Sequence, residues 1–296
     1  MTTHPLRAAA SLSFALLAAS AHSQTFPHGD GNGKLLLTGG VSSIDGAAGG
    51  GLTPWAVVGS YATQGEVGAT AFVTRARTQD YGLTAFGATV GVFDRVEVSL
   101  ARQQFDASVV VPDTTLKLDI FGVKVKLAGD AVLDADSWTP QVAVGAEVKH
   151  LNPGAAIGGV LDSVGAKRNG VDLYLSATKL FLAQGILVNG TLRATRANQN
   201  GLLGFASSDK AGYSIKPEVS IAYLLRRNLA IGAEYRSKPD NLAFAGAAFN
   251  EGAWRDVFIA WAPIKNVSVT AAYVGLGNIV GHEHQSGGYV SVQLAY

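Results

Sequence analysis

Gly288-Tyr289-Val290-Ser291-Val292-Gln293-Leu294-Ala295-Tyr296 closes the chain, and its reading decides the fold class. In an extended strand successive side chains point to opposite faces. Val290, Val292, Leu294 and the terminal Tyr296 therefore share one face, and Ser291, Gln293 and Ala295 share the other. A helical period would scatter both sets. One face is apolar and ends on an aromatic; the other is small and polar, as expected of a strand that separates an apolar phase from a wetter one.

The rest of the 296 residues extends this pattern. The chain holds 36 Gly, no Cys and only 15% charged residues, and its mean hydropathy is +0.21. Past the amino terminus no run of eighteen apolar residues occurs, so no helix is expected to cross a bilayer. High apolar content spread over every second position is the pattern of a transmembrane antiparallel up-and-down β-barrel, whose lipid and lumen faces alternate along each strand. No composition shift suggests a linker, so a single domain is expected. Residues 1–23 read as a signal peptide: Arg7, an uncharged run over 8–21, and small residues at Ala19-Ser20-Ala21 or Ala21-His22-Ser23 for cleavage. The barrel then covers residues 24–296. A net charge of +1 without a basic patch argues against nucleic acid as a partner.

After a glycine-rich lead (29–33), residues 34–41 and 52–62 are candidate strands around a glycine-rich loop. Further strands are read at 66–75, 81–93, 95–105, 116–127, 141–150, 171–181, 186–196, 213–223, 229–236, 254–262, 267–275 and the closing strand. The count is fourteen if the first two join the barrel, the preferred reading, and twelve if they fold inward or lie across an end. Both are even, as bacterial barrels require. Between 116 and 127 the apolar parity changes from Leu116, Leu118 and Ile120 to Val123, Val125 and Leu127, which predicts a bulge at Phe121-Gly122. Pro217 removes a ladder donor and predicts another irregularity, where a lateral opening for a hydrophobic ligand would form. Walking back from Tyr296, connections alternate long and short: 277–287 long, 263–266 short, 238–253 long, 225–228 short, 197–212 long, 182–185 short. The link 129–137 is longer than its periplasmic place suggests. Trp55, Phe93, Trp138, Phe181, Tyr223, Trp254, Trp261 and Tyr296 near strand ends suit interfacial girdles.

With the apolar faces on lipid, the lumen receives Glu66, Glu97, Lys117, Asp119, Lys124, Lys126, Glu147, Lys149, Asp172, Arg193, Lys216, Glu218, Glu234 and Arg236. Opposite signs on neighbouring strands can pair. The even balance fits a weakly selective passage for a small solute, or a lumen knitted shut in a structural or adhesive barrel. Catalysis is not expected. His150 lies near Asp162 and Ser163 in sequence, but no spacing compels a triad. His282-Glu283-His284 could offer two imidazoles to a metal but lacks further ligands, so no metal and no cofactor are expected.

Two resemblances sharpen the reading. Gly288, Val290, Val292, Leu294 and the carboxyl-terminal Tyr296 resemble the last strand of bacterial outer-membrane barrels, which implies recognition by the barrel-assembly machinery and a place in outer-membrane lipid. The segments Lys34-Leu-Leu-Leu-Thr-Gly-Gly-Val41 and Gly49-Gly-Gly-Leu-Thr-Pro-Trp55-Ala-Val-Val-Gly-Ser60 resemble the amino-terminal hallmark of DUF3034, a family of uncharacterised proteobacterial exported proteins. That resemblance implies an envelope protein of Gram-negative bacteria and assigns no substrate or catalytic residue.

Overall fold

Alternation written along twelve successive segments closes a sheet on itself. The structure is a computed structural model that describes residues 33–132 and 138–296; the expected signal peptide lies outside the described residues. The barrel strands are β3 (Val67–Thr78), β4 (Gly82–Val92), β5 (Val96–Asp106), β6 (Thr115–Ala128), β7 (Gln141–Asn152), β8 (Asn169–Phe181), β9 (Ile186–Thr195), β10 (Ser214–Arg226), β11 (Leu229–Arg236), β12 (Trp254–Ile264), β13 (Val267–Ile279) and β14 (His282–Ala295). Each pairs antiparallel with its neighbour, and β14 returns to β3, Val292 opposite Val73, to close the ring. Closure leaves no unpaired sheet edge in lipid, where an unsatisfied backbone group is costly.

The described residues therefore give twelve barrel strands and not the preferred fourteen. The two segments that would have completed fourteen lie inside. Only β1 (Val41–Ser42) and β2 (Ala48–Gly49) pair there, as a two-stranded ladder apart from the barrel. Every residue from 41 to 60 is buried. The alternation in that stretch is too often broken by glycine to keep a lipid-facing side.

The outward face carries Val73, Phe86, Leu100, Phe121, Leu192, Ile259 and Val290, all exposed. Phe93, Trp138, Tyr223, Trp261 and Tyr296 mark one rim, with Tyr296 85% exposed. Tyr213, Tyr235 and Tyr273 are exposed towards the other. Trp55 and Trp254, expected in the girdles, are instead buried within the barrel. The end bearing residues 196–213, 237–253 and α1 (Gly154–Ser163) is the outer one, since such barrels keep short turns on the periplasmic side. The expected long loop at 277–287 is corrected: β13 and β14 run on as a hairpin to a turn at residues 280–281.

Two expected irregularities are absent. β6 keeps unbroken register with β5 from Thr115 to Val125, and its shift against β7 lies at Lys126/Ala128, not at Phe121-Gly122. Even positions point inward throughout, so the apolar face of the strand changes without a bulge. Pro217 stays in register opposite Leu192. Its carbonyl accepts from the Ser237 N–H (3.1 Å), so its missing donor faces the side where β11 has just ended. The sheet does not open there.

Candidate functional site: a lumen built around its own amino-terminal segment

Residues 33–62 enter at the periplasmic end and return to it. Lys34 Nζ lies 2.7 Å from Asp94 Oδ1, and its N–H donates to the Tyr61 carbonyl (3.2 Å). The segment climbs to a tip at Ile44, Asp45 and Leu52 and comes back down. The turn between β1 and β2 has Gly46 at φ 96°, the left-handed region that glycine enters without penalty. Next to the tip the wall leaves no room for a side chain. A Cβ at Gly50 would overlap the Glu234 carboxylate, and one at Gly51 the Tyr289 hydroxyl.

An irregular segment leaves backbone donors and acceptors unpaired, and burial would make each costly. The wall supplies the partners. Glu97 accepts from Ala48 N (3.0 Å) and Gly59 N (2.8 Å), while Lys124 pairs with Glu97 (3.0 Å) and donates to the Ala48 carbonyl (2.9 Å). Glu234 accepts from Leu52 N (2.8 Å) and the Thr53 hydroxyl (2.7 Å), and Arg236 donates to the Leu52 carbonyl (2.9 Å). The Pro54 carbonyl receives Thr191 Oγ1 (2.9 Å), Ser176 Oγ (3.3 Å) and Asn189 Nδ2 (3.3 Å). Thr178 Oγ1 accepts from Ala56 N (2.7 Å), and Gln141 Nε2 donates to the Ala56 carbonyl (2.7 Å). This is a polar cast of the backbone of residues 41–60.

Above it, one carboxylate of the segment joins an ion network on β7 to β11. Asp45 pairs with Arg236 (2.7 Å) and approaches Lys149 (3.5 Å); Lys149 meets Asp172 (2.9 Å) and Glu147 (3.1 Å). Arg193 bridges Glu147 (2.8 Å) and Glu218 (2.5 Å), and Arg236 reaches Glu218 (3.4 Å). All seven groups are buried. Low dielectric strengthens their attraction, and each group lost would strand a charge.

The structure thus places Glu97, Lys124, Glu147, Lys149, Asp172, Arg193, Glu218, Glu234 and Arg236 in the lumen. Lys126 sits at its periplasmic end against Asp94 (2.8 Å), and Lys216 is half-buried towards the outer end of β10. Lys117 and Asp119 are corrected. They face outward, Asp119 paired with the exposed Arg102, because on this half of β6 the inward side belongs to Leu116, Leu118 and Ile120. Glu66 is half-buried, its carboxylate accepting from Thr63. Gly288, Val290, Val292, Leu294 and Tyr296 lie on the outward face as expected. Alternation alone already sets Gln103, Gln141, Thr191 and Ser220 on the polar faces of their strands, whereas sequence reasoning missed Asp45, Thr178 and Asn189. Those on strands share parity with the charged inward residues, and that parity is the signal that would have found them.

The outer end is closed separately. Residues 196–213 fold in so that Gln199 N donates to Glu251 (2.8 Å) and Gln199 Nε2 to the Asn278 carbonyl (2.7 Å), while Lys238 Nζ donates to Gln199 Oε1 (2.5 Å) and pairs with Glu251 (3.5 Å). Burial pushes the Glu251 carboxyl up to about 7 and the Lys238 ammonium down to about 8, each opposed by the other's charge. Beneath this lid lies an apolar core with Leu83, Phe105, Leu116, Leu118 and Leu203, into which Ile44 and Leu52 of the tip pack.

The candidate catalytic and metal residues are not assembled. His150 Nδ1 meets Asn169 (2.6 Å), Asp162 pairs with Arg168 (3.0 Å), and Ser163 donates to the Val160 carbonyl. His282 contacts Asp80 (3.1 Å), and among the described residues no group of three or more metal-ligating side chains occurs.

Residues 38–293 match the family described as Protein of unknown function (DUF3034). The chain belongs to this family. No curated protein matches it. Among solved structures, the DUF3034 chain is similar to the KdgM porin in complex with disordered oligogalacturonate: 10% identity, TM-score 0.51, covering 77% of this chain and 99% of that one. It also matches the NanC porin, at 10% identity and TM-score 0.49, covering 76% and 98%, and outer membrane phospholipase A from Escherichia coli, at 10%, 0.43, 76% and 89%. At these identities the likeness is one of fold. With the closed barrel and its apolar belt, it places this DUF3034 protein in the outer membrane.

Proposed function

We propose that this protein is a gated outer-membrane channel for a small solute, closed in this conformation by residues 38–62. The observation that carries the reading is the kind of contact that holds the segment. Its backbone donates to the carboxylates of Glu97 and Glu234 and accepts from the side chains of Arg236, Thr191 and Gln141. Such bonds exchange for water at a net cost of about 0.5–1.5 kcal/mol each, more where a charge takes part. These polar contacts can exchange for water in a wet lumen, while release of the segment also uncovers the apolar contacts of Ile44, Leu52, Trp55 and Val57.

The depth of burial favours a second reading, a barrel that never opens and serves a structural or adhesive role. The two differ in whether the segment moves. Thr53 Oγ1 and Ser220 Oγ lie 2.5 Å apart, and the chain has no cysteine, so Thr53→Cys with Ser220→Cys is suited to tether segment to wall. In planar bilayers the reduced double variant is expected to show discrete openings that oxidation abolishes and reductant restores. Equal conductance before and after oxidation would remove the segment as the gate. Silence in wild type and in Glu97→Gln with Glu234→Gln alike would leave the non-transporting barrel.

A further inference from the structure

The outer half of the barrel contains a cavity of about 150 Å³ that the ion network does not reach. Leu83, Phe105, Leu116, Leu161, Leu203 and Trp254 form much of its wall. Of the polar side-chain groups on its lining residues, the Tyr81 hydroxyl donates to the Ile279 carbonyl (3.0 Å), the Gln199 amide is held by Asn278 and Lys238, and the Trp254 indole N–H is buried without a partner. The chamber also has a mouth. Val110, on residues 107–114, and Val160, on α1, line it and are 42% and 49% exposed.

We infer that this chamber binds a compact, uncharged, apolar molecule of about the size of one aromatic ring. Close-packed interiors keep few voids larger than a water molecule, and the single unpartnered indole N–H of Trp254 falls short of the two to four polar partners that would hold a buried water. An apolar cavity of roughly this volume stays dry and accepts a single ring. Its place between the outer mouth and the tip of the lumen segment, where Ile44 and Leu52 join the same apolar cluster, makes it the first site that a molecule arriving from outside would occupy. Binding here requires no movement of residues 38–62, so the inference stands independently of gating.

The test is calorimetric titration of the full-length protein, refolded in detergent, with toluene and with benzoate as its charged counterpart. Saturable 1:1 binding of toluene, none of benzoate, and at least tenfold weaker binding in Ala107→Phe and Leu203→Phe are expected, since both substitutions fill the chamber. Crystals of the wild type under xenon pressure give a readout that needs no variant, with xenon expected between Phe105 and Leu203. Absence of saturable toluene binding, unchanged affinity in the filled variants, or xenon only at the lipid-facing surface would overturn it. A detergent or lipid acyl chain that toluene cannot displace would equally overturn it, assigning the cavity to lipid packing. Toluene binding by a barrel silent in bilayers would retain this inference and reject the channel.

Discussion

Glu97 shows how one inward side chain can hold a whole segment. Its two oxygens receive Ala48 N and Gly59 N, which lie on the rising and returning arms, and its charge is matched by Lys124. Glu97→Ala strands a buried lysine and two buried amides, a loss of about 3–5 kcal/mol in retention of the segment. Hydrogen exchange of residues 41–60 should accelerate by at least about a hundredfold while the strand amides stay protected; uniform acceleration would mean that the barrel itself had loosened. At the outer mouth the Lys238–Glu251 pair predicts a pH response. Asp240 and Arg236 also act on the pair, Asp240 favouring the charged lysine and the protonated carboxyl, Arg236 disfavouring the charged lysine. A carboxyl raised from 4.5 to about 7 holds its proton more tightly when the loop is packed, so packing weakens as pH rises through that window. A lysine lowered from 10.5 to about 8 releases its proton more readily when packed, so packing recovers above about 8. Proteolysis within residues 237–253 should therefore be fastest between pH 7 and 8 and slower towards pH 5. Glu251→Gln should flatten the acidic limb.

At the scale of the element, β6 is the instructive strand. Its inward face is apolar in the outer half, where it lines the hydrophobic chamber, and charged further down, where it meets the lumen segment. Read against lipid alone, Lys117 and Asp119 belong inside; the structure puts them outward, where Arg102 and water receive them. Leu118→Asp should therefore cost several kcal/mol by burying an unpaired carboxylate, while Lys117→Leu should change stability by less than about 0.5 kcal/mol. The midpoints of urea unfolding would check both, and the reverse order would place Lys117 and Asp119 on the lumen side. The lumen segment makes a complementary point. Its glycines look like loop chemistry in the sequence, yet Gly50 and Gly51 are required by contact with Glu234 and Tyr289 rather than by turns. Gly50→Val should displace the tip and raise conductance in bilayers without reducing the yield of folded barrel.

For the whole molecule, the sequence by itself determined that strands alternate between an apolar and a polar side, that β14 closes the set with Val290, Val292, Leu294 and Tyr296 outward, and that most charges face inward. Each of these follows from the period-two geometry of one strand and needs no knowledge of its neighbours. Family membership was legible for a related reason, because the block Gly49 to Trp55 is a contiguous string. What only the tertiary structure decided was the fate of that string and hence the strand count. Whether residues 34–62 add two strands or fill the space within twelve depends on the volume that the closed ring leaves and on the hydrogen bonds it offers. Those partners are Glu97, Gln141, Thr178, Thr191 and Glu234, scattered over five strands and far from the segment in sequence. The same holds for the outer chamber: Leu83, Leu116, Leu161 and Leu203 read singly as ordinary core residues, and only ring closure brings them around one cavity. Alternation is a property of the local backbone, whereas occupancy of the lumen is a property of the closed ring.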